Sequence, residues 1–142
     1  MVGILLVTHG RIASELKAAA EAIAGTTERL EAVGLDWDED ASETRRRIEE
    51  ALARLDGPGG VLVLTDMFGG TPSNLAFPFL QESHVEIATG ANLPMVLRAL
   101  SGRRNEPLPE LAHAVAERGR KSIEVASELL AEKTGSVTED NR

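Results

Sequence analysis

The sequence predicts an α/β fold: a doubly wound, mostly parallel sheet of about four strands, with helices on both faces. Three observations lead there. Val2 to Thr8 and Val61 to Leu64 are continuous apolar runs, short enough for strands and too uninterrupted for half-exposed ones. A segment with helical periodicity follows each of them. Strand and helix signals then alternate four times along the 142 residues, the order that right-handed crossovers between parallel strands accommodate.

The elements follow in order. Val2–Thr8 is the first strand and stops at Thr8-His9-Gly10. Ala13, Leu16, Ala20 and Ile23 recur at helical spacing, and Gly25 ends that helix. Leu30–Trp37 is a second, less apolar strand. Asp40-Ala41-Ser42-Glu43 resembles a capping box ahead of a helix with the stripe Ile48, Ala51, Leu52 and Leu55. The loop Asp56–Gly60 leads into the third strand, Val61–Leu64, which ends at Thr65-Asp66. A third helix is expected from Thr71 as N-cap and Pro72 as first helical residue, with Pro78 kinking or shortening it.

His84–Thr89 alternates polar and apolar, the pattern of a half-exposed strand. Asn92 is placed to cap a fourth helix that runs through Leu100. Leu108, Leu111, Ala112 and Val115 give a fifth helix one apolar face, and Gly119 interrupts it. Between Lys121 and Lys133 the pattern is mixed: Ile123 and Val125 alternate as in a strand, whereas Leu129 and Leu130 suit a helix. The chain reads as one domain over residues 1–133 with a flexible tail at 134–142.

Composition narrows the function. The net charge of −8 argues against nucleic acid or an anionic membrane surface as partner. Aromatic residues are 3% of the chain, with one Trp and no Tyr, too few for a base-stacking platform. The absence of cysteine excludes disulfides, thiolate metal sites and thiol nucleophiles. The apolar start is too short to span a membrane, so no membrane insertion is expected and the expected location is the cytoplasm. Neither GxxxxGK[ST] nor GxGxxG occurs, so a nucleotide is not the obvious ligand, and no cofactor or metal is expected.

In a doubly wound sheet, ligands bind beyond the carboxyl ends of the strands, where the strand order reverses. The two most apolar strands should be central, and His9 and Asp66 stand at their carboxyl ends. Asp66 can accept from one imidazole nitrogen and leave the other as nucleophile, base or ligand. Gly10 permits close approach. Gly69-Gly70-Thr71 leads into a helix N-terminus, which favours an anion, and the first helix offers its own free N–H groups. Together these parts suit a phosphoryl group carried on His9, with Gly10, Gly69, Gly70 and Thr71 around it. His84 and His113 read as surface residues. Met67 and Phe68 are either core or an exposed tip that docks a protein.

Three stretches carry a resemblance: Val7-Thr8-His9-Gly10, Asp66-Met67-Phe68-Gly69-Gly70-Thr71-Pro72-Ser73-Asn74, and Thr89-Gly90-Ala91-Asn92-Leu93-Pro94-Met95. Over nearly the whole chain the sequence resembles the enzyme IIA component of the mannose-type bacterial sugar phosphotransferase system. The resemblance implies a phosphotransferase that accepts a phosphoryl group from the phosphocarrier HPr on His9. Asp66 matches the acidic residue beside the phosphorylated histidine. The acceptor implied is a mannose-type enzyme IIB, for sugar uptake or regulation. A homodimer with an exchanged C-terminal strand is implied as well, and Ile123-Glu124-Val125 is the candidate strand. The alternatives are the phosphotransfer subunit of a dihydroxyacetone kinase and a tetrapyrrole metal chelatase. The first is disfavoured by Gly10-Arg11 after the histidine, and the second has no role for the Gly69–Pro72 loop.

Overall fold

Four parallel strands form one sheet, in the order β2 (Leu30–Leu35), β1 (Gly3–His9), β3 (Val61–Thr65), β4 (Val85–Thr89). They belong to a computed structural model that describes residues 1–26, 28–82 and 84–140. Between them run α1 (Ile12–Ala24), α2 (Ala41–Leu55), α3 (Thr71–Ala76) with a 3₁₀ turn (Phe77–Gln81), α4 (Leu93–Gly102), α5 (Leu108–Lys121) and α6 (Ala126–Asp140). The chain leaves β1 for β2 on one side and then crosses to β3 on the other, so the order reverses between β1 and β3. In register, Val7 stands opposite Thr65 and His9 opposite Leu35.

The continuous apolar run of β1 has a simple cause. Successive strand residues point to opposite faces, and both faces are covered. Ile4 and Leu6 join Leu62 and Leu64 in a core with Ala13, Ala20, Val96, Leu111 and Val115 from α1, α4 and α5. Leu5 and Val7 join Val61 and Val63 in a second core with Ile48, Leu52, Leu55 and Phe79 from α2 and the 3₁₀ turn. The side chains of Ile4, Leu5, Leu6 and Val7 are all fully buried. Residues of β4 are mostly half-buried, as its polar alternation implies, and β4 is an edge.

Several boundaries differ from the sequence reading. β2 stops at Leu35, and Asp36–Asp38 turn away from the sheet, so Trp37 is not in a strand. Asp40 caps α2 by accepting from Ser42 N–H, without the reciprocal half of a capping box. Gly70, not Thr71, is the N-cap of α3, which puts Thr71 at the first helical position. In place of a threonine cap, Ser73 Oγ accepts from Gly69 N–H at 3.1 Å and donates to the Gly70 carbonyl at 2.9 Å. The helix gives way to the 3₁₀ turn at Phe77-Pro78, as the proline leads one to expect.

Gly119 does not interrupt α5. It is buried in the helix, where a Cβ would come within 2.7 Å of the Met95 side chain. The glycine admits α4 to α5 rather than ending α5. Ile123–Val125 forms no strand in the single chain, and Ile123 and Val125 are exposed at 77% and 57%. α6 then carries the chain from Ala126 to Asp140, through most of the segment read as a tail.

Two close approaches shape the turn after His9. Gly10 has φ +50°, in the left-handed region, and its N–H donates to the Leu35 carbonyl at 2.9 Å. A Cβ on Gly34 would meet the Gly10 carbonyl oxygen well inside van der Waals contact. The turn therefore folds over the end of β2 only because Gly34 lacks a side chain. Replacing Gly34 by Ala should lower stability by about 2 kcal/mol, read as a drop in the urea midpoint. An unchanged midpoint would mean that the turn has room to move aside.

Candidate functional site

β1 and β3 deliver His9 and Asp66 to the same point. His9 Nδ1 lies 2.8 Å from Asp66 Oδ2, and the same carboxylate oxygen accepts from the His9 backbone N–H at 3.1 Å. One oxygen thus fixes both the main chain and the ring. The side chains are 23% and 11% exposed, so this is a half-sheltered pair rather than a surface ion pair. A carboxylate at hydrogen-bond distance selects the ring form with its proton on Nδ1, which leaves the lone pair of the neutral ring on Nε2. Asp66 Oδ1 is buried and accepts from no protein group among the described residues.

Behind His9 the backbone is fastened. Thr8 is fully buried, and its Oγ accepts from Ala13 N–H at 2.7 Å in the first turn of α1. One of the N–H groups expected to be free is therefore taken, and α1 is tied to the strand end that carries His9. Beside the ring lies Gly70: a Cβ there would sit 2.8 Å from His9 Cε1 and 3.3 Å from Nε2. Any side chain at 70 would crowd the edge on which Nε2 stands. Gly69 has φ +89° and is open to solvent. Thr71 is exposed, caps nothing, and lines the same cleft as His9 and Trp37. Of the residues singled out in the sequence, Gly70 therefore borders His9 directly, Thr71 lines the same cleft, Gly10 forms the turn after it, and Gly69 lies in the loop before α3.

Apolar side chains stand exposed on the loop after β3 and at the start of α1. Met67 and Phe68 are 52% and 73% exposed, which decides for the tip and against the core. Phe68 leans on Phe77, with ring centroids 5.7 Å apart. Ile12 is exposed on the α1 side. His84 and His113 are both exposed.

Sequence reasoning missed Trp37. Its indole stacks on the His9 ring, with centroids 5.8 Å apart and planes 26° from parallel. The signal was present: a solitary Trp as the last residue of a predicted strand, in a chain almost free of aromatics. The turn that carries it is braced by Glu39, which accepts from the Thr44 hydroxyl at 2.6 Å and from Arg47 at 3.0 Å. Those partners, the Thr44 hydroxyl foremost, hold the Glu39 carboxyl below its ordinary value.

With this geometry in view, the likeness to known proteins is specific. Residues 3–116 match the family EIIA-man, described as "PTS system fructose IIA component". The chain is 32% identical to the fructose-specific EIIA component of Bacillus subtilis, over all of this chain and 97% of that protein. It is 31% identical to the mannose-specific EIIAB component of Escherichia coli K12, over 93% of this chain but only 42% of that longer protein. The fold superposes on EIIA from Streptococcus agalactiae with a TM-score of 0.82 at 24% identity, covering 90% of this chain and 99% of that one. It superposes on the IIA protein associated with the fucose utilization operon of Streptococcus pneumoniae with a TM-score of 0.81 at 29% identity, covering 92% and 99%. Four parallel strands, a histidine and an aspartate at the switch point, and a match across most of the chain lead to one conclusion: the chain belongs to the mannose-type enzyme IIA family of the sugar phosphotransferase system.

Proposed function

We propose that this chain carries a phosphoryl group on Nε2 of His9, accepting it from phosphorylated HPr and passing it to a mannose-type enzyme IIB in the cytoplasm. The observation that carries this reading is the 2.8 Å contact between His9 Nδ1 and Asp66 Oδ2, which leaves Nε2 as the nucleophile. The lone pair of Nε2 attacks phosphorus. The new N–P bond forms as the donor's N–P bond breaks, and that electron pair returns to the donor nitrogen. The proton on Nδ1 stays in place. Positive charge that develops on the ring is balanced by the Asp66 carboxylate, already seated against it. Transfer to the next protein is the same step reversed.

The glycines and Thr71 have a part in this. A phosphoryl group brings a charge of roughly −1.5 to −2 and several acceptor oxygens. Gly70 leaves the space beside Nε2 empty, and the Thr71 hydroxyl stands on the same cleft with no cap to make. Gly10 and Gly69 give the two bordering turns their left-handed backbone and add no side chain there. Met67 and Phe68, exposed beside this space, form the apolar face on which HPr or enzyme IIB docks. No helix among the described residues is long and apolar enough to cross a membrane.

The protein acts as a homodimer in this reading. β4 has one edge unpaired, and Ile123 lies in a cleft with Thr89 and Gly90 at the end of that strand. An unpaired edge near a segment with two exposed β-branched residues, Ile123 and Val125, is suited to strand exchange between copies. Light scattering at micromolar concentration should return twice the chain mass, and a monomer mass would remove the exchange.

The relay itself is tested by mixing the chain with enzyme I, HPr and phosphoenolpyruvate and recording intact mass. Wild type should gain one phosphoryl group, and His9→Ala none. Label on His9→Ala would move the site elsewhere. Asp66→Ala should take up label about 100-fold more slowly while still melting cooperatively. A wild-type rate in that variant would remove Asp66 from the mechanism.

A further inference from the structure

The His9 ring is held from two directions. Asp66 grips it within its own plane through Nδ1. A single in-plane hydrogen bond fixes one ring atom but lets the ring rock, and rocking swings Nε2. Trp37 lies against a face, with centroids 5.8 Å apart and planes 26° from parallel, which removes that freedom.

Trp37 is not a core residue that happens to reach the site. It is 75% exposed. Yet the turn beneath it is fastened on several sides. Arg47 donates to both Glu39 and the Gly34 carbonyl at 3.0 Å, Glu39 N–H donates to the Asp36 carbonyl at 3.0 Å, and Asp40 caps α2. The indole also lies over the Gly10 backbone, where a Cβ would come 3.6 Å from Trp37 Nε1. A large apolar side chain left in water on a braced turn, and aimed at the reactive ring, asks for a role.

We infer that Trp37 is a positioning residue for phosphoryl transfer: its indole face sets the orientation of the His9 ring and faces the positive charge that develops there. This rests on the reading of His9 as the phosphoryl acceptor. When Nε2 bonds to phosphorus and Nδ1 keeps its proton, the ring takes on imidazolium character. An aromatic face attracts such a cation, and tryptophan does so best among the aromatics. Asp66 and Trp37 then stabilise the same charge from the edge and from the face.

An exposed indole beside a docking face has another possible use, contact with the partner protein. The two roles separate with a donor that has no docking face. Phosphoramidate is such a donor: Nε2 forms its N–P bond as the donor's P–N bond breaks, and the electron pair leaves on ammonia. The experiment measures phosphorylation of wild type, Trp37→Ala, Trp37→Phe and Phe68→Ser by intact mass, with phosphoramidate and with phosphorylated HPr in parallel.

Trp37→Ala should react about fivefold more slowly with phosphoramidate, equivalent to about 1 kcal/mol. It should lose the same factor in kcat with HPr, at unchanged KM. Trp37→Phe should keep most of the rate, and Phe68→Ser should raise only KM for HPr. Because the chain has one Trp and no Tyr, its emission reports this contact alone and should change when wild type is phosphorylated. A loss in Trp37→Ala confined to KM for HPr makes Trp37 a docking residue and overturns the proposal, as does an unchanged rate with both donors. If wild type takes label from phosphoramidate on His9 but not from HPr, the donor assignment fails while the phosphoramidate arm still decides the role of Trp37. Label from neither donor overturns both.

Discussion

The contact between His9 and Asp66 joins two residues that lie 57 positions apart in sequence. It exists only because β1 and β3 are parallel neighbours, with Val7 opposite Thr65. A slip of one residue would turn every side chain of a strand to the other face of the sheet, and the apolar cores on both faces oppose any such shift. The carboxylate oxygen that holds the imidazole also holds the His9 N–H. Ring and main chain are therefore located by one acceptor, which stands one residue beyond the end of the buried strand β3.

What surrounds the pair follows from the same frame. Thr8, one residue before the histidine, uses its buried hydroxyl to anchor α1. Gly34, opposite Thr8 in the sheet, clears the way for Gly10. Gly70 clears the edge of the ring. In each case the residue type is explained by what a neighbour would otherwise strike or leave unbonded. Membership of the enzyme IIA family agrees with this arrangement, and the proposed chemistry needs only one nitrogen with a lone pair and an open side.

Much of this was legible in the sequence, for a physical reason. β1 and β3 are buried on both faces, so their signal is a run of apolar residues that admits no other period. His9, Asp66 and the Gly69–Thr71 loop were found because they interrupt those runs at the carboxyl ends. Other features were hidden because they depend on partners far away in the chain. Gly119 looked like a helix breaker, since nothing local reveals that Met95 lies across it. Thr71 has the composition of an N-cap, but Ser73 serves the loop instead. Trp37 carries an aromatic's ordinary strand propensity, and only the turn at Asp36–Asp38 sends it over the histidine. Ile123–Val125 alternates like a strand but pairs with none of the described strands within one chain.

The half-sheltered setting of the His9 ring has a consequence for traffic. Asp66 closes one edge of the imidazole, Trp37 covers one face and the Gly70 backbone bounds the Cε1 side. On the proposed reading, donor and acceptor share the access to Nε2 that remains. A carrier that receives and gives at the same atom through the same opening cannot hold its source and its destination at once. The two proteins must take turns, each leaving before the other arrives.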